Sequence, residues 1–442
     1  MKRIGLFALL TVLILSALTA CGGNGKEQAP SSSAPGSAPA GSAAASPTGG
    51  GEQGTVQADF YYDNPAWTDY LKEINPITLK NSQTELKGVP YNEPTSFQTA
   101  IRVGFTTKEA ADIFKWWNGY QMKELVDAGY LADMTNEWKE MVADGVDPAV
   151  ASTLTFDGKT YGIPAGIHYW VMFYNKKIFD ENNLQPPKTW DEFININETL
   201  KSKGITPIGT TSVDVWNGFI WFEEFMIRTH PDVYRKLVVG EAKYTDPEVV
   251  EAMKLWQSFY DKGYFDKPTD FQKESAPAFA KGQFAMYLMG SWYSDYFKGA
   301  GMEPGKDFGA FVLPSVTPEA GNVVISEVTP FLVSQNAKNK DNAVKALVAL
   351  TKKEANEKML SLYGGVPIRK DVESPDPIIH SLTSDISAGQ YQTITRFWEA
   401  TPSELSEYAS SEFIRFMLNP DQLDRVLDNV QKKAEQYWAE HK

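Results

Sequence analysis

The stretch "FDGKTYGIPAGIHYWVMFYNKKIFDENNLQPPKTWDEF", residues 156–193, decides how the chain is read. Gly158-Lys159-Thr160 ends like a phosphate-binding loop, but that motif also needs a glycine at position 153, and Thr153 stands there. Asp157-Gly158 is instead a hairpin-turn signal, because both central residues of a type I′ turn need positive φ and strand-forming residues flank the pair. Further on, Thr189 and Glu192 have the spacing of a capping box, in which hydroxyl and carboxylate satisfy reciprocal orphan amides at the start of a helix. The stretch predicts a tight hairpin, apolar chain and a capped helix, with no nucleotide site.

The same alternation of short apolar runs and helical patterns extends outward, with no 20 to 50 residue repeat, and predicts α/β units. Thr245-Asp246-Pro247-Glu248 starts a helix whose Val249, Met253, Trp256 and Tyr260 share one face. Thr351 and Glu354 repeat the capping-box spacing. Asn419-Pro420 opens the last helix, with Leu423, Val426, Leu427, Val430, Ala434 and Trp438 in one stripe that is expected to dock on the body.

Toward the amino terminus the composition changes. Lys2 and Arg3 precede an apolar run from Ile4 to Ala20, an export-signal pattern. The run is slightly short for a spanning helix and lacks a basic stop-transfer cluster. Leu18-Thr19-Ala20-Cys21 resembles the lipobox of bacterial lipoproteins, which implies that residues 1–20 are removed and that the Cys21 thiol is lipidated. Two or more acyl chains hold a protein on a membrane where one does not. Cys21 is the only cysteine, so a lipidated Cys21 leaves no thiol for a disulfide, a thiolate metal site or a nucleophile. Residues 21–54 are rich in Gly, Ser, Ala and Pro and read as a flexible tether with a reach of roughly 30 Å.

The remaining body, from residue 55 to 442, is suited to two lobes rather than one core. Without Lys2 and Arg3 the chain has 40 basic and 56 acidic side chains, a net charge near −16 that disfavours nucleic acid and anionic headgroups as partners. His168, His230, His380 and His441 lie far apart with no metal-ligand spacing, and no cofactor or metal is expected. Neither a nucleophile elbow nor a histidine triad is recognisable, so no catalytic residue is assigned. The 12 Trp, 20 Tyr and 24 Phe would serve both cores and a carbohydrate site.

Several stretches then resemble the extracellular solute-binding proteins of ABC importers, in particular the sugar-binding group that includes maltose-binding protein. "ADIFKWWNGYQMKELVDAGYLADMT" (111–135) resembles a stretch at one edge of the ligand cleft, and residues 156–193 resemble the first interlobe crossing and its following helix. "AFAKGQFAMYLMGSWYSDYF" (278–297) resembles the segment that places a cleft tryptophan, and "YGGVPIRKDV" (363–372) the approach to another crossing. The resemblance implies an α/β, two-lobed periplasmic-binding-protein-like fold with a ligand cleft between lobes joined by hinge strands. The first lobe would comprise residues 55–166 and 328–374, the second 167–327 and 375–442. One departure is expected: residues 56–93 look compressed against the strand, helix and strand that the family places ahead of the "DIF" segment, where the resemblance implies Asp63 as the ligand-binding candidate of the first strand.

Sugars have apolar C–H faces and directional hydroxyls, so a sugar cleft needs stacking rings beside polar side chains. No cluster of Arg or Lys stands at the matching positions, as a phosphate ester would require, which favours a neutral sugar or oligosaccharide. The resemblance places Trp116 and Trp117 at the cleft edge with Asn118 after them, and adjacent helical residues point about 100° apart, so one ring of the pair faces ligand, Trp117 by preference. It places His168 at the first crossing, Asp214 and Trp216 on a second-lobe loop, and Trp292 as the stacking ring. Ser326 and Glu327 flank a later crossing, and backbone at Gly364 and Gly365 could approach ligand. The chain is expected to act as a monomer, lipid-anchored on the extracellular face of the membrane, handing sugar to ABC permease subunits. A lipid-anchored glycoside hydrolase is the alternative, and a structural surface protein the third class.

Overall fold

The computed structural model describes residues 55–441, apart from Ala66, Glu93 and Lys108. The export signal, Cys21 and the tether lie outside the described residues. Nine strands form one continuous sheet in the order β2-β1-β3-β10-β6-β8-β7, with β11 beside β10 and β9 beside β6; the other two, β4 and β5, form a hairpin. The strands are β1 (Val56–Tyr62), β2 (Thr84–Pro90), β3 (Ile113–Lys115), β4 (Thr155–Phe156), β5 (Lys159–Thr160), β6 (Ile163–Asn175), β7 (Thr206–Gly209), β8 (Phe284–Gly290), β9 (Phe308–Phe311), β10 (Val323–Val333) and β11 (Gln392–Thr395).

Two apolar cores flank this sheet. One buries Phe60, Trp67, Trp116, Trp138, Ile163 and Ile167, and on the return passage Val328, Phe331 and Met359. The other buries Trp170, Phe193, Phe222, Trp256, Tyr287 and Ile325, with Leu382, Phe413 and Val430 from the carboxyl-terminal helices. β6 and β10 each pass from one core to the other. They pair antiparallel with Ser326 opposite Tyr169, Glu327 opposite His168 and Val328 opposite Ile167, so both leave one core and enter the other at the same level. At that level Ser326 and Glu327 are only partly buried, whereas His168 is fully buried.

The hairpin at Asp157-Gly158 forms as its sequence requires, with φ of 50° and 75° at the two turn residues and β4 antiparallel to β5. Thr189 caps the helix Trp190–Ser202: its hydroxyl accepts from Glu192 N, and Glu192 Oε2 accepts from Thr189 N. Asp246 and Pro247 open the helix Pro247–Asp261, which buries Val249, Met253 and Trp256, while Tyr260 is only half-buried. The last helix, Leu423–His441, docks by Leu423, Val426, Leu427, Val430 and Ala434 after a short turn at Pro420–Gln422.

Two expectations are corrected. Thr351 does not cap a following helix: it closes the helix Lys340–Leu350, its hydroxyl donates back to Val348 O, and the next helix, Lys353–Tyr363, starts after Lys352. The amino-terminal segment is not compressed. β1, the helix Trp67–Ser82 and β2 form a complete parallel unit. Pro76 lies inside that helix, a position that normally breaks one. Here the preceding Asn75 side chain donates to Leu86 O and accepts from Leu86 N, which ties the helix to β2 at that turn.

Candidate functional site

β1 and β3 are parallel neighbours with Tyr61 beside Phe114, so the chain leaving β1 at Asp63 emerges next to Lys115 at the end of β3. In open α/β sheets the carboxyl ends of strands are where ligands bind. Asp63 and Lys115 form an ion pair at 2.9 Å, with side chains only 8% and 13% exposed. Lys115 Nζ also stands 4.1 Å from the centre of the Trp117 ring, a cation–π contact that fixes both groups.

A cleft of about 860 Å³ opens beside this pair. Asp63, Asn64, Trp67, Tyr70, Lys115 and Tyr363 line it from one side, and Trp216, Phe271, Lys273, Trp292, Asp295 and Tyr296 from the other, with Glu327 between. The rings form two groups of edge and tilted contacts. Trp67 meets Tyr70 at 5.3 Å and Tyr363 at 5.1 Å. Trp216 meets Phe271 at 5.0 Å, and Trp292 lies 6.5 Å from Trp216 and 6.0 Å from Tyr296. Trp292 sits in the turn after β8, and Gly290 makes room for it: a Cβ there would come within 2.2 Å of Trp292 Nε1.

Glu327 is the polar centre. Its Oε2 accepts from Trp170 Nε1 and Trp292 Nε1, each at 3.2 Å, and from Arg396 Nη1 at 2.9 Å. Burial is the largest single influence and would raise this carboxyl, but the charges and donors around it, the Arg396 guanidinium foremost, together outweigh it and hold Glu327 below the usual carboxylate range. His168, opposite it on β6, is fully buried. Its Nδ1 lies 3.4 Å from Ser291 Oγ, its Nε2 has no partner, and burial lowers its pKa to about 4, so the ring is neutral at physiological pH.

The structure brings Asp63, Trp216, Trp292 and Glu327 together on the cleft wall. Trp117 packs behind Lys115, while Trp116 is a core residue whose Nε1 donates to Gln121 O. Asn118 is buried at the start of the helix Gly119–Asp127 with its Oδ1 unpartnered. His168 stands beside Glu327 on the neighbouring strand, fully buried and not on the wall, and Asp214 precedes the turn Val215–Gly218, where its N–H donates to Asn217 Oδ1. Sequence reasoning missed Lys115, Tyr296 and Arg396. Lys115 lies inside "DIFKWW" and Tyr296 inside "GSWYSDYF", both within quoted stretches, whereas Arg396 lies in none.

Every charged residue on the wall has a counter-charge. Asp63 pairs with Lys115, Asp295 with Lys298, Lys273 with Asp270 at 3.8 Å and Glu327 with Arg396. A charged ligand would have to break one of these pairs, whereas hydroxyls can join them. Among the described residues no group of three or more His, Cys, Asp or Glu could hold a metal ion, and no helix is long and apolar enough to cross a membrane.

The sequence matches the bacterial extracellular solute-binding protein family over residues 72–385. An uncharacterized ABC transporter extracellular-binding protein of Pyrococcus horikoshii is 27% identical over 289 residues, which are 64% of this chain and 64% of that one, less than two thirds of the relative's length. In structure the chain is similar to a chitin oligosaccharide binding protein, with a TM-score of 0.74, 22% identity and coverage of 86% of this chain and 98% of that one. It is also similar to a bacterial solute receptor described as having an exclusive preference for β-D-galactopyranose, with a TM-score of 0.76, 20% identity and coverage of 87% and 100%. At these identities the likeness to solved structures establishes the fold, a two-lobed periplasmic-binding-protein architecture.

Proposed function

The chain belongs to the bacterial extracellular solute-binding proteins, and from that premise we propose that it captures a neutral sugar or oligosaccharide in the cleft and delivers it to the permease of an ABC importer. The observation that carries the reading is the cleft wall itself: half-buried indole and phenol rings from both sides surround a carboxylate, and each charge is already balanced. Rings stack on the C–H faces of a pyranose, and the balanced carboxylates and amides accept and donate to its hydroxyls. The similarity to an ABC transporter binding protein and to receptors for a chitin oligosaccharide and a galactopyranose supports the same class.

In this reading the lobes comprise residues 55–166 with 328–374 and residues 167–327 with 375–442, and ligand favours a closed arrangement by binding both walls at once. Lipid at Cys21 retains the protein at the extracellular face of the membrane, and Cys21→Ser releases it into the soluble fraction. Glu327, held ionised, is unsuited to the proton-donating role that a glycoside hydrolase needs.

The test is a thermal-shift screen of glucose, galactose, maltotriose, xylotriose and chitotriose against glucuronate and glucose 6-phosphate. A neutral sugar at about 100 times its dissociation constant adds about 2.7 kcal/mol of apparent stability. Stabilisation by the charged sugars alone refutes neutrality, stabilisation by none refutes the sugar reading, and sustained release of cleaved product turns it into an enzyme.

A further inference from the structure

We infer that Arg396 is the positioning residue of the cleft: by holding one oxygen of Glu327 from behind, it presents the other as an ionised acceptor for a ligand hydroxyl. The inference rests on the sugar-binding reading. It starts from sheet topology. β11 runs parallel to β10 with Thr395 beside Ser326, so the next residue, Arg396, arrives alongside Glu327 although 69 positions separate them.

The guanidinium cannot swing away. Its Nε donates to Glu399 Oε2 at 2.8 Å and its Nη2 to Glu399 Oε1, a two-point fork on a fully buried carboxylate. Its flat face lies 5.3 Å from the centre of the Trp170 ring and 5.5 Å from that of Phe219. The side chain is 7% exposed and does not line the cleft, so it acts on ligand only through Glu327.

Arg396 Nη1, Trp170 Nε1 and Trp292 Nε1 all donate to Oε2 of Glu327, which saturates that oxygen. The hydrogen bonds to Glu327 all fall on Oε2, which leaves Oε1 to the cleft that Glu327 lines. A carboxylate whose charge is already balanced has little to offer an ammonium but remains a strong acceptor for a neutral O–H.

The other titratable groups facing this centre are His168 across the strand pair, Tyr363 at the end of its helix, Lys115 at the end of β3, and Glu399 and Glu223 behind Arg396. Without Arg396 the Glu327 carboxyl is left dehydrated and uncompensated, and it takes up a proton at higher pH. The hydroxyl acceptor is then lost as pH falls.

The experiment titrates the panel sugar that binds wild-type protein, by calorimetry, at about pH 7.5 and about pH 5, with a change of less than about threefold expected for wild type. Arg396→Gln, or Arg396→Gln with Glu399→Gln if the single variant does not fold, is expected to lose about tenfold in affinity across the same window. Arg396→Lys restores the flat profile, and adding Glu327→Gln to the Arg396→Gln protein abolishes the slope. A flat profile in the Arg396→Gln protein, or a slope that survives Glu327→Gln, overturns the inference. Ligand-free wild-type protein gives an independent reading through the ¹⁵N-labelled indole N–H resonances of Trp170 and Trp292. These are expected to stay fixed from about pH 7 to about pH 5, and a titration inside that window also overturns the inference. If no panel sugar binds wild-type protein, the sugar-binding reading fails while the indole titration still decides the role of Arg396.

Discussion

Replacing Trp292 by Ala separates a ligand-stacking ring from a packing one. The ring lines the cleft, touches Trp216, Phe271, Tyr293 and Tyr296, and donates its N–H to Glu327. If sugar stacks on it, Trp292→Ala removes buried apolar contact plus a ring-geometry contribution of about 0.5 to 1.5 kcal/mol, and a total binding loss of about 1.5 to 3 kcal/mol follows. That corresponds to about 10- to 150-fold in affinity. Trp292→Phe keeps a ring but deletes the N–H to an ionised carboxylate, a bond of the class worth about 1.5 to 3 kcal/mol, so it too weakens binding if Glu327 must be held in place. Trp438→Ala is the comparison for general destabilisation, because that ring packs on Gly240 and Tyr437 at the last helix and is no part of the cleft wall. Calorimetric titration of each folded variant, paired with its Tm, decides the matter. Wild-type affinity in Trp292→Ala together with a depressed Tm would show the ring to be packing alone and would refute the stacking argument.

Gly290→Ala acts on the same ring without touching ligand. The backbone there, at φ −58° and ψ 145°, accepts Ala, but the methyl would displace the Trp292 indole, so affinity falls toward that of Trp292→Phe, and unchanged affinity would count against the geometry. His168 has a folded pKa of about 4, depressed by burial from an unfolded value of about 6.5, so the unfolded state binds the extra proton between those values. Stability therefore declines as pH falls from about 6.5 to about 4, by up to about 3 kcal/mol, and urea unfolding of His168→Gln shows a shallower decline, an equal one sinking the argument. Glu223 shows the opposite sign. Burial raises its carboxyl well above the usual range, so the folded state retains a proton that the unfolded state releases, and stability falls as pH rises through that interval. Glu223→Gln is then expected to gain more in Tm over wild type at about pH 8 than at about pH 4, and a gain independent of pH would contradict it.

What was legible in the fold was local. A type I′ turn needs two adjacent positive-φ residues and a capping box needs two side chains three positions apart, so Asp157-Gly158 and Thr189 with Glu192 state their geometry within a few residues. The same spacing at Thr351 and Glu354 misleads because a hydroxyl that accepts an amide at a helix start equally donates to a carbonyl at a helix end, and only the preceding helix decides which. Pro76 likewise depends on a distant partner. A ring that normally ends a helix is tolerated where Asn75 links the helix to β2, and Leu86, the residue that supplies both partners, lies on the next strand.

The site was legible as residue types and not as an arrangement. Trp116, Trp170 and Trp256 are fully buried, whereas Trp216 and Trp292 are half-buried on the cleft wall, and nothing in the identity of a tryptophan distinguishes these fates. The difference is made by strands that are neighbours in the sheet but remote in the chain. A carboxylate that stays ionised while largely dehydrated needs a cation and several N–H donors on one side, and here the strand pair β6 and β10 supplies only one of the three. Glu327 draws its donors from positions 157, 35 and 69 residues away, each delivered by a different neighbour: Trp170 by β6, Trp292 by the turn after β8 and Arg396 by the end of β11. A lone arginine in "TITRFWEA" has no spacing to read, and its meaning comes from the parallel register that sets Thr395 beside Ser326. Under the proposed function the same placement would tie binding to hinge geometry: Glu327 lies on β10 at the level where the chain passes between cores, so a ligand hydroxyl bound there would be coupled to the strands that have to bend.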